Sequence, residues 1–191
     1  MPIITLPTDL TGKLLIAMPG MDDPRFAGGV IFLCAHSPEG AMGVIVNKRI
    51  DQLRFADMLE QIGVDAPMPP DVPVCYGGPV EMGRGFVIHS ADYDGNARDM
   101  LRIDDQFAMT TTTDVLEEMG RGSGPAQALM VLGYAGWGPE QLEDEIGRNG
   151  WLTCDATPDL VFGTDMAIKW EAALASLGVN PLMLSEQAGH A

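Results

Sequence analysis

Basic side chains are scarce in this 191-residue chain: eleven Lys and Arg stand against 27 Asp and Glu, for a net charge of −16. Phosphate backbones are bound by clustered Lys or Arg that release counterions, and the longest basic run here is Lys48-Arg49. The composition argues against direct nucleic-acid binding. Cysteine is also rare. Cys34, Cys75 and Cys154 are odd in number and widely spaced, so they make no disulfide framework and read as reduced thiols of a cytoplasmic protein. No apolar run approaches the ~18 residues of a membrane helix. The opening MPIITLPTDL lacks a basic n-region, so no signal peptide is expected. The sequence has no H-E-x-x-H, no paired C-x-x-C and no G-x-S-x-G elbow. Gly78 to Gly83 has phosphate-loop spacing, but Arg84-Gly85 follow where Lys and Ser/Thr are required. Neither a metal nor a cofactor is implied.

Apolar residues, by contrast, are plentiful at 46%. That content suits one compact domain over residues 1–191, which at this size buries roughly 70% of its unfolded surface. The stretch Gly28 to Ile50 organises the rest. Its apolar runs Val30–Ala35 and Val44–Val46 flank Ser37, Pro38, Glu39 and Gly40, which are turn formers, so a hairpin is expected. Both faces of the first run are apolar, which places it centrally in a sheet covered on both sides. Further strands are expected at Gly12–Met18, Val74–Tyr76, Gly85–His89, Ala126–Tyr134 and Trp151–Cys154, with a hairpin around Asp104-Asp105. Asp22-Asp23 and Asp104-Asp105 read as solvated turns, and the polar stretch 91–99 as a flexible excursion.

Helices are expected where the apolar period changes to three or four. Leu53, Ala56, Leu59 and Ile62 mark one over Asp51–Ile62, ended by Gly63. Asp114 and Glu117 have capping-box spacing for a second, running to Gly120. Pro139 suits the first position of a third, with Glu140 and Glu143 complementing its positive end. Thr164 is expected to cap a fourth, which runs to Leu177 and is stopped by Gly178. Strands and helices mix without a strict βαβ rhythm, which points to an α+β fold with helices packed on a mixed sheet.

Three groups of residues are candidates for chemistry. Cys34 and His36 share a face of an ideal strand at about 6.7 Å along it, too far for a direct hydrogen bond. His89 reaches Cys34 only if their strands are neighbours. A thiolate stabilised by imidazolium is one reading, and an inert core cysteine is the other. Gly77, Gly78 and the cluster around Arg84 either hold a small anionic ligand on backbone amides or form a tight turn. Tyr134 and Trp137, on a glycine-rich loop before a helix, are either a docking edge for a ligand or partner or a lid over the core.

Several ordered stretches, taken together, resemble one family. GKLLIAMPGMDDPRFAGGVIFLCAHSPEGAMGVIVNK, then YGGPV with RGFVIHS, MTTTTDVLEEM, GYAGWGPEQLEDEI, NGWL and the closing GHA are similar to the AlgH/YqgE family. Glu140 stands where that pattern more often has glycine. The resemblance implies a bacterial cytoplasmic protein of α+β fold, with a mixed, strongly twisted sheet curled into a pseudo-barrel and flanking helices. Some members are labelled transcriptional regulators, and no catalytic or cofactor residues carry over. With no complete catalytic constellation in the sequence, the expectation is a non-enzymatic domain that binds a protein partner or small ligand and regulates indirectly. A thiol-dependent enzyme or redox protein using Cys34 with His36 or His89 is the alternative.

Overall fold

The computed structural model describes residues 9–95, 99–111 and 113–188, with side chains through residue 184 in the last helix. Most of the opening decapeptide and the closing Gly189-His190-Ala191 lie outside the described residues, as does part of the excursion 91–99. The strands are β1 Lys13–Ala17, β2 Val30–Ser37, β3 Gly40–Ile45, β4 Val74–Tyr76, β5 Val80–Ser90, β6 Met100–Arg102, β7 Phe107–Thr110, β8 Ala128–Trp137 and β9 Trp151–Asp155. They form one mixed sheet in the order β6-β7-β5-β8-β3-β2-β1-β9, with β4 added parallel to β8. Around it lie helices α1 Phe55–Gln61, α2 Thr113–Gly120, α3 Gln141–Gly147, α4 Lys169–Ser176 and α5 Pro181–Ala188.

The sheet is strongly curled. Phe32 on β2 and Phe107 on β7 are four steps apart in strand order, about 19 Å across a flat sheet. Their ring centroids are 4.9 Å apart, so the two ends of the sheet have folded toward each other around a shared interior. Leu14, Ile16, Val30, Phe32, Val44, Ile88, Phe107 and Val131 fill that interior. Val161, Ala173 and Leu174 close it. The outer face carries two further clusters: one meets Leu142 of α3, and the other meets α1 and α2 through Phe55, Leu59, Val115 and Met119. Residues Val30 to Leu33 are inaccessible on both faces, as the unbroken apolar run requires.

Local departures from the expected elements have identifiable causes. The first helix starts only at Phe55, because Arg54 is extended and Asp51-Gln52 form a turn; Gly63 does follow its end, at φ +79°. Asp114 lies inside α2, which begins at Thr113, and is not its cap. Pro139 stands before the helix, whose capping position is Glu140 in the left-handed region. Thr164 does not cap the fourth helix. Its hydroxyl donates to the Asp159 carbonyl and closes a π-helical turn, Asp159–Gly163, that the sequence left unmarked. Asp165 caps instead, accepting from Ala167 N–H, and a 3₁₀ turn at Met166–Ile168 precedes α4. The glycines at 83 and 85 are not a turn between strands, because β5 runs through them with a break in register between Val80 and Gly85.

Candidate functional site

A β-bulge separates the first pair of candidates. The register of β2 on β3 shifts between Leu33 and Ala35, leaving Cys34 as the extra residue. Cys34 keeps the inward direction of Phe32 and packs in the interior cluster. His36 falls on the opposite face, so the shared face expected from an ideal strand is lost. There the His36 Nδ1 accepts from Leu10 N–H at 2.9 Å, and its Nε2 meets Glu143 Oε1 on α3 at 2.5 Å. An Nδ1 that accepts puts the ring proton on Nε2, where it donates to the carboxylate. This bond holds the Glu143 carboxyl below its ordinary range. Both ring nitrogens are thus engaged in tying residue 10 and α3 to β2.

His89 points to the face opposite the thiol, because Ile88 beside it packs in the interior with Cys34. Its strand, β5, is separated from β2 by β8 and β3. The ring is fully buried, with Nδ1 donating to the Ser90 carbonyl and Nε2 accepting from the Thr110 hydroxyl, both at 2.9 Å. Burial pushes its pKa down. Burial also pushes the Cys34 and Cys75 thiols up to about 12, so both stay protonated at neutral pH. Among the described residues no group of three or more His, Cys, Asp or Glu is placed to hold a metal.

The glycine candidates are places where two backbones touch. The Gly77 N–H donates to the Leu132 carbonyl at 2.8 Å. A Cβ on Gly78 would stand 2.2 Å from the Tyr134 carbonyl, and Gly133 approaches the Gly78 carbonyl as closely. Arg84 is exposed, with its guanidinium 5.2 Å from the Phe86 ring centroid and 3.5 Å from Glu81. Tyr134 packs edge-on against Phe86 at 5.9 Å.

Trp137 alone of these candidates opens onto a large cavity. A cleft of about 1080 Å³ lies between the loop following β1, the end of β8 and the turn from α3 to β9. Met18, Met21 and Phe26 come from the first, Trp137 from the second, and Arg148, Asn149 and Trp151 from the third. Phe26 meets Trp151 edge-on at 6.1 Å, and Trp151 meets Trp137 edge-on at 6.2 Å. Glu145 on α3 fixes both indoles: its Oε2 accepts from Trp137 Nε1 at 2.7 Å and from Trp151 Nε1 at 3.1 Å. Gln141 donates to Oε1 at 3.3 Å and accepts from Gly138 N–H, which ties the carboxylate to the loop. Arg25 forks onto Asp23, with the shortest contact at 2.7 Å, and Arg148 pairs with Asp144 at 3.2 Å. The Asp23–Arg25 bonds hold that carboxyl low. The Asp22-Asp23 turn is thus part of the cleft wall.

Reading along the chain identified Trp137 but missed Phe26, Glu145 and Trp151. Phe26 lies in a loop, Glu145 within α3 and Trp151 at the start of β9, and the curl of the sheet brings them together with Trp137. The one signal available was the placement of Trp137 and Trp151 on glycine-flanked ends of apolar runs.

An α+β fold with a curled mixed sheet and this loop-lined cleft defines the structural class. The chain belongs to the AlgH-like family (DUF179), whose model matches residues 14–182. It is 60% identical over 184 residues to a UPF0301 protein of Jannaschia sp., covering 96% of each chain. A UPF0301 protein of Ruegeria pomeroyi is 58% identical over 185 residues, covering 96% of this chain and all of that one. The solution structure of the AlgH protein from Pseudomonas aeruginosa superposes with a TM-score of 0.75 at 42% identity, over 98% of each chain. A Corynebacterium diphtheriae protein, DIP2367, shares the fold with a TM-score of 0.70 at 21% identity, over 89% of this chain and 87% of that one.

Proposed function

We propose that the protein is a non-enzymatic binding domain, a single unit over residues 1–191, and that its ligand site is the cleft beside Trp137. One observation carries this reading. Four of the stretches that bear the family resemblance come from three separate regions of the chain, yet all contribute to the cleft wall: MPGMDDPRF, YGGPV, and GYAGWGPEQLEDEI with NGWL. Packing alone has no need to collect them around an open trough. A rigid pair of indoles beside adaptable methionines is the kind of surface that binds apolar groups. Such a domain regulates indirectly, in the cytoplasm, through a partner or small ligand, in keeping with its charge of −16. No observation favours the thiol-enzyme alternative, because Cys34 is buried and neither imidazole faces it.

The test is a saturation-transfer NMR screen of neutral, acidic and basic fragments against the wild type and Met21→Glu. Binding fragments that lose their signal with the variant support the cleft. Fragments that bind equally to both proteins, or a screen with no binder at all, would contradict it.

A further inference from the structure

The cleft has a charge imbalance that its own arginines leave unrelieved. Arg25 is occupied by Asp23, and Arg148 by Asp144. Among the described residues, two carboxylates of the cleft have no ion pair: Asp22 on one wall and Glu145 on the other. Glu145 is half-buried and held only by neutral donors, the two indoles and the Gln141 amide. A carboxylate has about four acceptor sites, so the three bonds leave room for a further donor. Guanidinium and ammonium groups pair with carboxylates while their alkyl stems pack on apolar side chains, and the cleft supplies both.

We infer that the cleft receives a cationic side chain, Arg or Lys, presented with apolar neighbours by a segment of a partner protein. This rests on the proposed ligand site and assigns its occupant. Two features favour a protein segment over a small molecule. The cleft slightly exceeds the ~300–1,000 Å³ of common small-molecule pockets and is an open trough. Its wall also continues through Leu184 into α5, where Leu182 and Met183 are 73% and 56% exposed. That surface suits apolar residues flanking the charged one. A chain of net charge −16 would also steer a basic partner toward it.

The experiment is isothermal titration of the full chain with a blocked heptapeptide carrying one central Arg among Leu and Met. Its counterpart has citrulline, the uncharged isostere, at the same place, and n-butylguanidinium is the third probe. The Arg peptide is expected to bind about tenfold or more tighter than the citrulline peptide and than n-butylguanidinium. Raising the salt concentration should narrow the Arg–citrulline gap. Glu145→Gln keeps an oxygen for the indoles and removes the charge, and exposed-wall Asp22→Asn does the same on the other side. Each should narrow that gap, and Asp22→Asn, which touches neither indole, should do so with near-UV circular dichroism unchanged. Equal binding of the two peptides would overturn the charge inference and leave the binding site standing. Equal binding of n-butylguanidinium would overturn the protein partner. Failure of both peptides would overturn the inference, and only the fragment screen decides the site itself.

Discussion

Glu140 sits at φ +65°, where an L side chain crowds its own backbone, and nothing in the fold repays this with a side-chain cap. Glycine is the residue that fits there, as the comparison of motifs in the sequence indicated. Glu140→Gly should therefore stabilise by about 0.5–1 kcal/mol, the relief of strain being reduced by the freer unfolded chain. Urea unfolding reads this directly, and a loss of stability would contradict it. Lys169 is a buried residue of the opposite kind. The residue is 1% exposed, and its ammonium donates to the carbonyls of Val46 and Val161 at 2.9 and 2.7 Å. Burial pushes its pKa down to about 8, yet the two carbonyls have no other donor of this reach described. Lys169→Met orphans both, and should cost about 1–3 kcal/mol in a thermal or urea melt; an unchanged or raised stability would show that burying the ammonium costs more than its bonds return. No sequence pattern announced Lys169, since a lone lysine before an apolar helix face reads as solvated. Its role depends on a π turn that periodicity does not reveal.

At the scale of elements, apolar runs made most strands legible, and breaks in their regularity were not. The run Val30–Ala35 identified β2, but the bulge at Cys34 that sends His36 to the other face has no mark in residue type. The long β5 was read as a glycine turn and a strand because Gly83 and Gly85 usually punctuate; here they sit beside a register break that lets β5 leave and rejoin β8. The junction of β4, β5 and β8 depends on direct backbone contact. Gly78 is at φ +155°, and a methyl there would meet the Tyr134 carbonyl at 2.2 Å. Gly78→Ala should lower stability by about 3 kcal/mol or more, seen as a large drop in the urea midpoint. A midpoint within ordinary surface-mutation scatter would mean the junction is looser than described. His89 couples β5 to β7 through Thr110, and does so as the neutral ring. Its folded pKa is lowered, so its contribution is complete above the unfolded value near 6.5 and is lost as pH falls below it. Urea midpoints should fall on acidification through that range, and His89→Gln should flatten this part of the profile. An equally steep profile in the variant would assign the effect to other groups.

For the whole molecule, composition correctly marked an acidic chain with a large apolar core, while the cleft was beyond its reach. Segments distant along the chain meet there because the sheet curls, and curl is a property of strand order and twist. Curl also buries the thiols. Cys34 and Cys75 are raised to about 12, so the stability they contribute is complete below about pH 9 and is lost as pH rises toward 12. Lys169 acts in the reverse direction between about pH 8 and 10.5, gaining stability as it loses its proton, and two thiols outweigh one amine. Alkylation followed by peptide mass spectrometry should find both cysteines unreactive at neutral pH, modified only as fast as the chain unfolds. Fast modification of Cys34 in the native protein would revive the thiol reading.

The most direct measurement follows the three indole N–H resonances during titration with the Arg heptapeptide. Trp137 and Trp151 bond Glu145 at the cleft, whereas Trp170 donates to the Ala17 carbonyl and does not line it. The first two resonances should shift together and saturate, and move further than the third. Three unmoved resonances at a saturating peptide concentration, or a shift confined to Trp170, would contradict the cleft as the protein's binding site.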